Sequence, residues 1–145
     1  MTAGRIRLAI ALSGAVLLAG CGGSGSSDAD KVKQALTREL SAIATGDTTT
    51  ACSLATPSGQ AKLAKAIPGG TCKSVVALVS QHLSAQVKVG LRSAQIRRVT
   101  INGDTALVRD ADITSTRGTL SGFIGPGSAH TMLKKQPDGS WKLSG

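Results

Sequence analysis

Two glycine turns constrain this chain most. Asn102-Gly103 and Pro137-Asp138-Gly139 each lie between short runs in which apolar and polar residues alternate, the pattern of half-buried strands on either side of a tight hairpin. A two-residue Asn-Gly loop sets Val99 opposite Ala106 and Arg97 opposite Val108, so that Val99, Ile101, Ala106 and Val108 share one face. A three-residue loop closed by a left-handed Gly139 sets Leu133 opposite Leu143 and Lys135 opposite Trp141. Thr131, Leu133, Trp141 and Leu143 then form the core side. Val87 and Val89 alternate around Lys88 and read as a further strand. Ile113 to Ile124 reads as one more, ended by Gly125-Pro126-Gly127.

The front half has another period. Val32, Leu36, Leu40 and Ile43, with Ala35, recur at helical spacing behind an Asp28 N-cap, with Asp30 in the first turn and Gly46 as terminator. Lys31, Lys33, Gln34, Arg38 and Ser41 take the other faces. Asp47 caps a short second helix over 48–55 that carries Cys52 and Leu54, and Pro57 interrupts it. A third helix over 58–67 carries Leu63 and Ile67 and stops at Pro68-Gly69-Gly70. A fourth over 71–84 buries Cys72, Val75, Val76, Val79 and Leu83. Helices first and antiparallel strands afterwards predict one α+β domain over residues 28–145, its helices packed on one face of a curved antiparallel sheet. A chain of 145 residues has room for one such domain. There is no internal repeat.

Residues 1–20 read as an address. Arg5 and Arg7 precede an uncharged apolar run over 8–18, too short to span a bilayer. Leu18-Ala19-Gly20-Cys21 resembles the lipobox of bacterial lipoproteins. The resemblance implies cleavage before Cys21, a thioether-linked diacylglyceryl group on its sulfur and often a further acyl chain, such as palmitate, on the new amino terminus. Two or more chains hold a protein firmly to a membrane, where one gives only marginal binding. Residues 21–27 would be the lipidated Cys and a flexible Gly/Ser tether, and the domain would sit on the extracytoplasmic face of the cell membrane. The bland alternative is an ordinary signal peptide with a cysteine near its end by chance.

Export permits disulfides. With Cys21 lipidated, Cys52 and Cys72 remain as an even pair, which predicts a disulfide bracing the second helix against the fourth; two separate buried thiols are the alternative. No metal site is expected, since His82 and His130 are the only histidines and no tight ligand spacing forms.

The order of an amphipathic helix, a Gly46-Asp47 step, short Cys-bearing helices, the run from Val99 to Val108 and a closing Asp138-Gly139-Ser140-Trp141-Lys142-Leu143 resembles the nuclear transport factor two-like superfamily, whose domain is a cystatin-like cone. The likeness extends over about 28–143. It implies a cone whose concave sheet face and helices enclose a pocket, with Val76, Val79, Leu107 and Leu133 as lining. Some relatives are isomerases, cyclases or dehydratases. The isomerases use a buried carboxylate base with a phenol-centred oxyanion hole, and this chain has no Tyr.

An acid–base pair would have to come from Asp104, Asp110, Asp112, His82 or His130. Each has a simpler reading: Asp104 as a turn residue, Asp110 and Asp112 as solvated at a strand end, His82 as structural at the edge of its helix stripe, and His130 as pointing away from the core. No triad, phosphate loop or cofactor motif is present. The expectation is therefore a binding or interaction domain of the cell envelope without catalysis and without cofactor. An enzyme of the ketosteroid isomerase or cyclase type and a carrier of a lipid-like ligand are the alternatives.

Lys and Arg total 17 against 8 Asp and Glu, a formal charge of +9. Nine of the basic residues follow residue 87, giving a cationic sheet face or simply a solvated exterior. Expected partners are the membrane through Cys21 and an envelope protein, an anionic envelope polymer or an apolar small molecule, with a homodimer also open. One Trp and one Phe leave nothing for base stacking, so nucleic acid is not expected.

Overall fold

The structure, a computed structural model, describes residues 26–121, 123 and 129–144. The leader, Cys21, the tether through residue 25 and the Gly125-Pro126-Gly127 break lie outside the described residues. The described residues fold as five helices followed by six strands: α1 (Asp28–Thr45), α2 (Thr48–Ser53), α3 (Pro57–Ala64), α4 (Cys72–His82), α5 (Ala85–Arg92), then β1 (Ala94–Ile96), β2 (Thr100–Asn102), β3 (Thr105–Arg109), β4 (Ile113–Ser115), β5 (His130–Lys135) and β6 (Trp141–Leu143). The class is α+β. Strands β2, β3, β5 and β6 form an antiparallel sheet in that order, and β1 and β4 form a separate antiparallel pair. Among the described residues no helix is long and apolar enough to cross a membrane.

The helix ends follow local chemistry. Ser27, not Asp28, caps α1. Its hydroxyl accepts from the Asp30 N–H at 3.2 Å while the Asp30 carboxylate accepts from the Ser27 N–H at 3.3 Å, a reciprocal capping box. The Ser27 hydroxyl also lies 2.7 Å from the Asp30 carboxylate as a donor, and this bond, with that from the Ser27 N–H, holds the Asp30 carboxyl below its ordinary pKa. Gly46 ends α1 at φ 73°. Asp47 then caps α2, accepting from the Thr50 N–H at 3.0 Å. Thr56 caps α3 with Pro57 in its first turn, and Thr71 with Ser74 forms a second capping box at α4. The disulfide joins Cys52 to Cys72 with Cα atoms 6.0 Å apart, pinning α2 to α4.

The main core lies between α1, α5 and the inner sheet face. Val32, Leu36, Leu91, Val108 and Leu133 are its most completely buried large side chains, with Trp141 and Ala106 beside them. The C-terminal hairpin has the expected register, Leu133 opposite Leu143 and Lys135 opposite Trp141, closed by Gly139 at φ 78°. The Asp28 carboxylate ties α1 to this hairpin. One oxygen is 2.8 Å from Lys135 Nζ and the other accepts from Trp141 Nε1 at 3.3 Å. Those hydrogen bonds lower the Asp28 pKa. The β6 edge is covered by the α2–α3 connection: the Leu143 N–H donates to the Leu54 carbonyl, and the Leu143 carbonyl accepts from the Thr56 N–H.

Three sequence expectations are corrected. Residues 85–92 form a helix rather than a strand. Ser84 caps it by accepting from the Val87 N–H, and Val87 and Leu91, four apart, are buried on one side. Gly90 lies so close to the Thr119 backbone that a Cβ would collide with it. The β2–β3 hairpin is slipped by two residues, pairing Ile101 with Ala106 and Asn102 with Thr105. Its loop is Gly103-Asp104, with a positive φ at Gly103 alone, the φ pattern of a type II′ rather than a type I′ turn. An even slip preserves side-chain parity, so Ala106 and Val108 still face the core while Ile101 is left 37% exposed at the edge. The strand expected from Ile113 shortens to Ile113–Ser115 and pairs with Ala94–Ile96 outside the main sheet.

Candidate functional site

The chain has a single glutamate, Glu39, on the last half of α1. It is three residues after Leu36 and four before Ile43, which sets it on the inward side of the helix. Its residue surface is 4% exposed, and Oε2 is buried without a hydrogen-bond partner among the described residues. Burial pushes its carboxyl from an ordinary 4.5 up to about 7.

Two apolar cavities, each of about 200 Å³, share Glu39, Ile43, Leu63 and Phe123 as walls. The first opens among α1, α3 and α4 and is completed by Val75, Val76 and Val79. The second runs toward the sheet, against Leu40, Thr131 and Leu143. The short helices explain the space. α3 buries only Gly59, and α2 buries Ala51 and Cys52, so little side-chain bulk reaches α1 from that side. The disulfide, packed with Ala42, Ala51 and Val76, holds this thin layer in place.

Of the four residues expected to line a pocket, Val76 and Val79 border the first cavity. Leu133 is wholly buried in the main core. Leu107 pairs with Thr100 and Met132, alternating with the buried Ala106 and Val108, on the outer sheet face. The five candidate acid–base residues are scattered. Asp104 lies in the β2–β3 turn and accepts from Thr105 Oγ1 at 3.3 Å. Asp110 and Asp112 lie in a 3₁₀ turn after β3. His82 is exposed at the end of α4, with Nδ1 2.8 Å from the Leu78 carbonyl oxygen. His130 is exposed at the start of β5. None of the five lines either apolar cavity.

Glu39 was missed because it sits beside Arg38 in a helix with many polar residues and reads as part of the wet face. Its spacing to Leu36 and Ile43 was the available signal. Chemically, the arrangement is a proton-holding group in an apolar chamber. A carboxyl with this pKa is present near neutrality both as an acid that donates a hydrogen bond and as a carboxylate that accepts one. A wider open groove of about 570 Å³, bordered by Thr56, Asp104, Lys134 and Lys135, is polar. Its Lys135 is already paired with Asp28. No family model, curated protein or solved structure matches the chain.

Proposed function

We propose that the chain is a membrane-anchored extracytoplasmic lipoprotein whose domain, a cone-shaped fold of the nuclear transport factor two-like type, binds an apolar small molecule without transforming it. The anchor half of this reading is supported by the leader and by Leu18-Ala19-Gly20-Cys21. The binding half is carried by one observation: two apolar cavities that meet at a buried carboxyl with an unpartnered oxygen. Ligand sites of this kind are mostly apolar with a few polar groups that fix orientation.

The test is native mass spectrometry of the protein taken from its own membrane. The expected species begins at Cys21, carries acyl mass there and retains a non-covalent apolar ligand. A chain beginning elsewhere with Cys21 unmodified overturns the anchor, and a protein isolated bare under conditions that preserve complexes overturns the binding. Cys21→Ser should move the protein from the membrane fraction to the soluble one, whereas His82→Ala should leave ligand binding unchanged.

A second reading has one observation in its favour. A carboxyl with its pKa raised to about 7 in an apolar cavity suits a general base, as in isomerases that move a proton between carbons. Against it, Thr131 is the only other polar side chain on the cavity walls among the described residues. Glu39-dependent deuterium uptake into a bound carbon acid would favour the enzyme.

A further inference from the structure

The proposed binding reading leaves open which polar group a ligand presents to Glu39. Resting on that reading, we infer that the cavity selects an aliphatic molecule whose one polar group is a hydrogen-bond-accepting oxygen, a short fatty acid being the simplest member, with the Glu39 carboxyl as the donor. Among the described residues the walls are otherwise aliphatic or aromatic apart from Thr131, whose hydroxyl is a second donor on the sheet side. A neutral acid buried with an unpartnered oxygen is satisfied by an acceptor, and a charged acceptor makes the stronger bond.

A cationic head is disfavoured by the field of the chain. The sequence carries a formal +9, or +7 without Arg5 and Arg7 of the leader, which repels cations and draws anions toward its surface. Among the described residues, no charged group of the surrounding elements other than Glu39 lines the cavities. Lys62 of α3 has Nζ 3.5 Å from the Ser144 carbonyl oxygen. Arg38 of α1 and Lys73 of α4 are exposed, and His130, Lys134 and Lys142 alternate with the inward residues of β5 and β6. Among the described residues, Glu39 is thus the one titratable group on the walls.

Binding through the protonated form gives the pH dependence a sign. Octanoate and octylamine keep their charges between pH 6 and 9. Octanoate affinity should be steady below pH 7 and fall about tenfold per pH unit above it, as the donor proton is lost. The experiment is calorimetric titration of the full chain carrying Cys21→Ser, which removes the protein's own acyl chains as occupants, with octanoate and octylamine across that range. Xenon is added as a probe without a head group, since dry apolar cavities accept it.

The expected result is octanoate binding at least tenfold tighter than octylamine at pH 6, with the stated slope. Glu39→Gln, which keeps an N–H donor of similar shape, should bind octanoate without the slope. Octylamine binding more tightly, or octanoate affinity independent of pH in the unsubstituted site, overturns the inference. If xenon still enters in those cases, the binding reading survives alone. If neither xenon nor either amphiphile enters, both fall. The pH series needs no cavity variant, so a Glu39→Gln chain that fails to fold does not block the test.

Discussion

Helix α1 meets two different interiors. Its row of Val32, Leu36, Leu40 and Ala44 belongs to the main core with Leu91, Val108, Leu133 and Trp141. The neighbouring row, Glu39 and Ile43, faces α3 and α4 across space that side chains leave unfilled. The difference lies in what closes each side. The sheet presents ranks of side chains fixed by hydrogen-bonded register, so large residues meet large residues. Helices of six and eight residues present one or two small ones each, and the disulfide fixes only the shorter of them, α2, to α4. A hollow follows from a covering layer too short to fill it.

The contrast can be broken most forcefully in the filled half. Leu133→Ala should cost about 2–5 kcal/mol, read by urea denaturation, whereas Leu63→Ala on the cavity wall should cost about 1 kcal/mol. Equal losses would mean the two sides are packed alike. Replacing both Cys52 and Cys72 by Ser should remove about 3 kcal/mol by the chain-entropy estimate. Hydrogen exchange should show the loosening in α2 and α4 and leave β3 and β5 protected; uniform loosening would erase the distinction.

Glu39 sharpens it through pH. Its folded pKa of about 7 exceeds the ordinary 4.5, so the folded chain holds that proton more tightly than the unfolded one. The contribution is intact below about 4.5 and is lost as pH rises to 7. Wild-type stability should therefore decline across that window by an amount on the order of 3 kcal/mol, and Glu39→Leu should abolish the decline. Asp28, Asp30, Asp47 and Asp138 act oppositely, since hydrogen bonds lower their pKa values and their contributions are lost as acid protonates them. Melting temperature against pH, with and without Glu39, separates the two. The smallest effect belongs to Ile101→Thr at the exposed sheet edge, within about 0.5 kcal/mol.

What could be read from residues alone depended on whether local chemistry and burial agreed. Pro137-Asp138-Gly139 permits one compact loop, so the β5–β6 register was legible to the residue. The pairing of Cys52 with Cys72 followed from parity once Cys21 was set aside, and the stripe from Cys72 to Val79 was plain. The segment 85–92 was ambiguous because Val87 and Val89 satisfy a two-residue period while Val87 and Leu91 satisfy a helical one. Tertiary contact at Gly90 accompanies the helix, and that contact is invisible in sequence. At Asn102-Gly103 the same residues serve two loops, and the slip between them keeps every side chain on its face. The site was the least legible part. Val76 and Val79 are legible from their apolar spacing, but an acid beside Arg38 in a polar-rich helix looks solvated until the helix is placed.

The contact of Asp28 with Lys135 and Trp141 brings the first turn of the domain against its last strand. Any mechanical load entering through the N-terminal segment meets that junction first, and there it pulls on a charged pair and an indole bond rather than on the apolar interior.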